Sequence, residues 1–245
     1  MNKLLFVGCC LAAACAIAAK ADEEYGGIIR VVPKDAGKFL FVNAQQKVAE
    51  AMISAPVERL AKDIGFDLQT VKGTAPDPKK VPEALAALGA KGAVWIVDDP
   101  QLPRLLAACE DGWAILNVAQ LAKDVDDEKI RVRMIKEINR TFGFIHGATD
   151  PIMMPACALK PAVGLDGLDK LQCKELSPFT ASKVSYYLTQ AGYKRVNVGT
   201  YYDACEEGWA PKPTNAVQKA IWDKVHQLPT KPLTIQRESE RSKGK

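Results

Sequence analysis

The sequence predicts an α/β (α+β) fold, a mixed sheet with helices packed on it, and three observations predict it. Ala93-Val94-Trp95-Ile96-Val97 is an unbroken apolar run of strand length, as a strand covered on both faces requires. Strand-like and helix-like stretches alternate through the first half of the chain. Asp126-Asp127-Glu128 then gathers acid at the start of a long helical pattern, where the helix dipole favours negative charge.

The chain opens on Lys3, an apolar run from Leu4 to Ala18 and the A-x-A site Ala19-Lys20-Ala21, which read as a signal peptide over residues 1–21. The run is shorter than the roughly 20 apolar residues of a membrane span. The mature chain is expected to start at Asp22, exported to a periplasmic or extracellular space. Ala12-Ala13-Ala14 before Cys15 resembles a lipobox without its leucine, so lipoprotein anchoring at Cys15 is a minor alternative. Without Lys3 and Lys20 the formal net charge falls from +4 to about +2, too little to argue for a nucleic-acid partner.

Ile28 to Val32 and Phe39 to Val42 read as strands around the turn residues Pro33 to Gly37. Gln46 to Ile64 has helical spacing, with Pro56 expected to kink or restart it. Phe66 to Val71 alternates like a strand. Pro82 to Leu88 reads as a short helix entered through proline. After the apolar strand, Leu105 to Cys109 and Trp113 to Val118 flank the turn Glu110-Asp111-Gly112 and predict a hairpin. The long helix should run from Asp126 to about Phe142, with Gly143 as its stop. Residues 147–167 are rich in Gly, Pro and Ala and read as irregular, with Gly164-Leu165-Asp166-Gly167 as a turn. Ser177-Pro178 opens a helix that stops at Gly192, Arg195 to Tyr202 alternates like a strand, and Thr214 to Val225 reads as a last amphipathic helix. Ala108 to Ala114 and Ala204 to Ala210 echo each other and read as two acidic hairpin turns.

Four cysteines follow the leader, Cys109, Cys157, Cys173 and Cys205. An even number in an exported chain predicts up to two disulfides, with three pairings open and Cys109 to Cys205 the one suggested by the echo. The absence of a C-x-x-C pair argues against a zinc knuckle.

Lys136 to His146 holds the chemistry. Against H-E-x-x-H-x-x-G-x-x-H it keeps Glu137, Gly143 and His146 but has Lys136 and Arg140 where the first two histidines belong. In an intact motif two histidines at i and i+4 share a helix face, a glycine turns the chain, and a third histidine returns to the metal. Charged lysine and arginine have no lone pair to offer such an ion. Glu137, Thr141-Phe142-Gly143 and His146 resemble the H-E-L-G-H-T-F-G-L-x-H signature of archaemetzincins, a branch of the metzincin zinc metallopeptidases. Met154 and Pro155 stand where that family carries its Met-turn, and Leu176 to Tyr193 resembles its closing helix. The resemblance covers Phe39 to Tyr193. It implies a metzincin-like twisted mixed sheet with an active-site helix, a Met-turn and a C-terminal helix.

The resemblance also implies roles. Glu137 is the vestigial general base, Lys136 and Arg140 replace zinc ligands, His146 keeps the third-ligand position, and Gly143 is the turn glycine. The family's cysteine after the third histidine is Gly147 here, and its later C-x-x-C is missing. The expected organisation is a signal peptide (1–21), a metzincin-like domain (22–193), a C-terminal extension packed on it (194–235) and a basic disordered tail (236–245). The expected function is that of a secreted, catalytically inactive metallopeptidase homologue. It would bind a peptide or protein in the former cleft along the edge strand Leu105 to Cys109, with no cofactor and no membrane span. One alternative is an active zinc peptidase with a non-standard site, built from His146, Asp150 and His226. A second is a structural or cell-surface interaction protein working through its Tyr- and Trp-bearing C-terminal segment.

Overall fold

A computed structural model describes residues 24–123, 125–154 and 156–227. The leader with Cys9, Cys10 and Cys15, the Met-turn residue Pro155 and the basic tail lie outside the described residues. The chain divides into two compact units, one of residues up to Val31 with those from Asn197 onward, the other Val32–Val196.

β1 (Ile28–Val31) belongs to the smaller unit. The larger begins with β2 (Phe39–Asn43), whose five residues are all buried. α1 (Ala51–Ile64) follows without interruption and carries Pro56 inside it. It starts five residues later than the spacing suggested, and Pro56, its sixth residue, removes one helix bond, the one to the Met52 carbonyl. β3 (Leu68–Lys72) comes next, then a 3-10 turn at Pro78–Lys80 and α2 (Val81–Leu88) with proline in its first turn. β4 (Gly92–Val97) is buried at every position, as its continuous apolar run predicts. β5 (Leu105–Ala108) and β6 (Trp113–Asn117) pair antiparallel, Leu105 opposite Leu116 and Ala108 opposite Trp113, which is the expected hairpin.

A short helical turn, α3 (Val118–Leu121), leads to α4 (Asp127–Ile145). Asp126 caps α4 by accepting the Lys129 N–H. α5 (Gly164–Lys170) replaces the turn expected at Gly164 to Gly167. α6 (Pro178–Gln190) is capped by Ser177, whose hydroxyl accepts the Thr180 N–H.

The five strands run in the order β3-β2-β4-β6-β5, parallel except for β5 at one edge. Alternation along the strands sends Phe39, Phe41, Val94, Ile96, Ala114 and Leu116 to one face, where α1, α4 and α6 pack through Leu60, Phe142 and Leu188. Leu40, Val42, Trp95 and Ile115 face the other side, covered by Val81 and Leu85 of α2. The architecture is thus mixed α/β, with helices on both faces of one sheet.

Tight contact at the start of β4 sets a measurable limit. A Cβ on Gly92 would lie 2.6 Å from the Gly112 carbonyl oxygen and 2.7 Å from the Phe39 ring. Gly92→Ala is expected to cost about 1–3 kcal/mol in urea unfolding, as overpacking does. Gly89→Asn, at a positive φ facing open space, should cost under about 1 kcal/mol in the same measurement.

In the smaller unit β1 pairs antiparallel with β7 (Asn197–Thr200), Ile28 opposite Thr200. α7 (Tyr201–Glu206) and α8 (Ala216–Gln227) follow. Tyr201 is fully buried and donates its hydroxyl to the Pro211 carbonyl, while Gln218 donates to the Gly26 carbonyl and ties α8 to the residues before β1. The second half of the echo is therefore a helix end turned by Gly208 at φ +79°, not a hairpin. Among the described residues no helix is long and apolar enough to cross a membrane.

The expected disulfides are absent: Cys109, Cys157, Cys173 and Cys205 are all free thiols. Each has its own surroundings. Cys157 is buried, its sulfur accepting the Ser177 N–H at 3.4 Å and touching the Thr180 hydroxyl; Cys173 donates to the Glu175 carbonyl; Cys109 sits exposed in the β5–β6 turn; and Cys205 is buried in α7.

Candidate functional site

α4 is the spine of the site, because nearly every residue of its second half is buried. Lys129, Arg133, Lys136 and Arg140 recur at spacings of four, three and four, so they fall in one stripe along the helix. All four reach the segment 158–169. Lys129 pairs with Asp169 at 3.1 Å. Arg133 grips the same carboxylate through two N–H groups at 2.8 and 2.7 Å and donates a third to the Leu121 carbonyl. Lys136 donates its ammonium to the carbonyls of Leu168 (2.8 Å) and Asp169 (3.3 Å). Arg140 donates to those of Ala158 (2.5 Å) and Lys160 (2.7 Å).

Lys136 and Arg140 are only 2% and 6% exposed. Burial pulls the Lys136 ammonium below its usual pKa, against the opposing attraction of Asp169. Burial acts on Arg140 in the same direction, and Glu137 opposes it. Asp169, hydrogen-bonded by Arg133 and paired with Lys129, is held down at about 2.

Glu137, 2% exposed, lies between two guanidinium groups, with Oε1 at 3.6 Å from Arg140 Nε and 3.8 Å from Arg104 Nε. That oxygen has no hydrogen-bond partner, and one turn on, the buried Thr141 hydroxyl has none either. Burial raises the Glu137 carboxyl above the ordinary range, while Arg104 and Arg140 pull it back. Arg104, just before β5, also donates to the Gly164 carbonyl. Asp150 pairs with Lys160 at 3.1 Å rather than with Lys136 or Arg140.

Gly143 does not turn the chain. It lies inside α4, where a Cβ would stand 3.0 Å from Leu159 Cδ2, so the missing side chain leaves room for the covering segment. The helix ends four residues later at Gly147, at φ +71°, with Ala148 N–H bonded to the Gly143 carbonyl and Gly147 N–H to that of Phe144. This pair of bonds is a Schellman ending. Consequently His146 sits ten residues beyond Lys136 on one continuous helix, about 15 Å along its axis.

His146 occupies different surroundings from the cations. Its Nδ1–H donates to the Phe142 carbonyl at 2.8 Å, and its ring lies 4.3 Å from that of Phe142 and 5.2 Å from that of Phe39. Burial lowers its pKa to about 4, so the ring is neutral with its lone pair on Nε2. It lines a cavity of about 600 Å³ together with Lys91, Tyr187, Tyr193 and the β5–β6 turn from Cys109 to Gly112. His226, stacked on Trp222, belongs to the smaller unit. Met154 is partly buried in the segment after α4.

The motif residues do not fit a zinc ion. The two cations donate to carbonyls, and the imidazole lies far along the helix from both. No three His, Cys, Asp or Glu side chains converge to hold a metal among the described residues. Arg104, Arg133 and Asp169 entered no sequence reading; the four-cation stripe was the available signal for the last two, whereas nothing near Arg104 points to Glu137.

No protein-family profile matches the chain, and no curated protein matches it. Among solved structures, the crystal structure of a zinc-dependent peptidase from Methanocorpusculum labreanum (strain Z) is similar at 17% identity with a TM-score of 0.44, over 60% of this chain and 100% of that one. At that level the likeness assigns no residue and no activity to this chain.

Proposed function

We propose that the chain is an exported, non-hydrolytic protein derived from a zinc-peptidase design, which binds a peptide or protein segment. The observation that carries this reading is the burial of Lys136 and Arg140 against the carbonyls of residues 158–169, which fills the helix face where the resembled peptidases bear metal ligands. Glu137 has two arginines beside it instead of a metal-bound water. Neither cation is open to solvent, so a ligand would not reach them. β5 offers a different surface: it ends the sheet, and no strand covers its outer side among the described residues. Main-chain hydrogen bonds supply much of the attraction in strand addition, and no metal is needed for it. An extended segment along Leu105–Ala108 would run toward the His146 cavity, which could take one of its side chains.

Metal content of the purified mature protein tests the non-hydrolytic part. Far less than stoichiometric zinc is expected, with a melting temperature unchanged by chelator. One zinc per chain, lost in His146→Ala, would overturn it.

A further inference from the structure

The far edge of the sheet holds a second candidate site, independent of the reading above. The chain leaves β2 for β3 on one side and then crosses back to β4 on the other side of β2. On the β4 side Lys47 and Asp98 stand 3.8 Å apart. On the β3 side a cavity of about 400 Å³ opens, lined by Asn43, Gln45, Gln46, Glu50, Lys72 and Gly73 among others. That volume lies within the range of small-molecule sites.

Asn43, the last residue of β2, is 9% exposed. Its Oδ1 accepts both the Gln45 N–H (3.3 Å) and the Gln45 side-chain amide (3.2 Å). Gln45 is fixed in turn, its Oε1 accepting the Val48 N–H at 3.0 Å and its amide reaching the Val48 carbonyl. A backbone N–H can only donate, so the Asn43 atom facing it is the oxygen, and the side-chain amide orientation is settled. Nδ2 is left with two N–H groups and no protein partner among the described residues.

Asn117 shows what such a residue does when its role is structural. It is the last residue of β6, and its Nδ2 donates to the carbonyls of Asp99 and Leu102 while its Oδ1 accepts the N–H groups of Asp99 and Ala119. Asn43 uses only its oxygen. The Asn43 amide therefore keeps both N–H groups for an acceptor in the cavity it lines.

We propose that the cavity at the ends of β2 and β3 binds a small zwitterion carrying a carboxylate and an ammonium, as a free amino acid or a di- or tripeptide does. The carboxylate accepts from Asn43 Nδ2, the free donor on the cavity wall. Glu50 and Lys72, paired at 3.0 Å on the exposed rim, supply charges of both signs. Glu50 meets the ammonium, and Lys72 moves to the carboxylate.

Titrating the full chain with Ala-Ala, its N-acetyl form and its C-terminal amide, followed by amide NMR, tests this. The free dipeptide is expected to shift the Asn43 side-chain NH2 resonances at millimolar concentration, and each blocked form to bind at least about tenfold more weakly. Asn43→Asp, which keeps the oxygen facing Gln45 but replaces the donor with an acceptor, should weaken binding by tenfold or more with an unchanged NMR fold. If it fails to fold, Lys72→Gln reports instead, with a smaller loss confined to ligands that have a free carboxylate. No shift at Asn43 with any of the three probes, or equal affinity for free and blocked forms, would overturn the proposal.

Discussion

Arg140→Met is expected to lower the unfolding free energy by about 3–5 kcal/mol, the cost of breaking a buried charge pair from one side. The methionine fills the space but removes both donors from the Ala158 and Lys160 carbonyls. Among the described residues Glu137 is left with Arg104, at 3.8 Å, as its ion-pair partner. Urea unfolding of Arg140→Met, Glu137→Gln and the double variant separates the two contributions. The double variant should be more stable than the sum of the single losses predicts, because neutralising Glu137 removes the stranded charge. Strict additivity would mean that the pair at 3.6 Å contributes nothing and that only the carbonyl bonds matter.

A second large effect is expected in acid. His146 has a folded pKa near 4 against 6.5 for a free histidine, because its half-buried ring is desolvated against Phe142 and Phe39. A depressed pKa means that the unfolded chain takes up the proton first. The stability present above pH 6.5 is therefore lost as pH falls toward 4, by about 3 kcal/mol in all. Asp169, held near 2 by Arg133 and Lys129, loses its contribution only below the usual carboxylate value of 3.8, so the two windows are separate. Glu137 works the other way, its raised pKa favouring the folded state as pH drops. His146→Gln, which can still donate to the Phe142 carbonyl, should flatten the profile between pH 6.5 and 4 and leave the steeper fall below it. An unchanged slope in that variant would show that the ring is not the group titrating there.

What could be read from the sequence was what local chemistry determines. The apolar run predicted β4, Glu110-Asp111-Gly112 the hairpin, and Asp126 and Ser177 the starts of α4 and α6. Misreadings arose where one residue type has two uses. Glycine ends helices, but it also lets another chain come close, and Gly143 serves the second purpose beneath Leu159 while Gly147 ends α4. Gly164 begins a helix instead of making a turn. Cys109 and Cys205 share a local string but stand in a hairpin turn and a helix, because the surrounding residues, not the string, decide the backbone. An even number of cysteines suggested disulfides, yet all four thiols are free, Cys157 and Cys205 buried, Cys173 half-buried and Cys109 exposed.

The site was legible as a position and not as an arrangement. Lys136, Glu137 and Arg140 were singled out, but that their cations turn toward main-chain carbonyls depends on a segment some twenty to thirty residues later. A stripe of charge on a helix is ordinarily a solvated face, and only the covering segment makes this one an interior. The Asn43 amide gave no sequence signal, since an asparagine ending a strand is as readily a cap.

Because Lys136 and Arg140 meet the covering segment through backbone oxygens, they recognise the course of that chain and not its residues. A different side chain at a position such as Lys160 leaves the carbonyl in place. Evolutionary drift in residues 158–168 should therefore centre on the exposed positions, restrained at the buried Ala158, Leu159 and Leu168 and at Gly164 with its positive φ, whereas Asp169, whose carboxylate is held by Lys129 and Arg133, is fixed by identity. A cover of this kind can change most of its exposed residues and still close over the same helix.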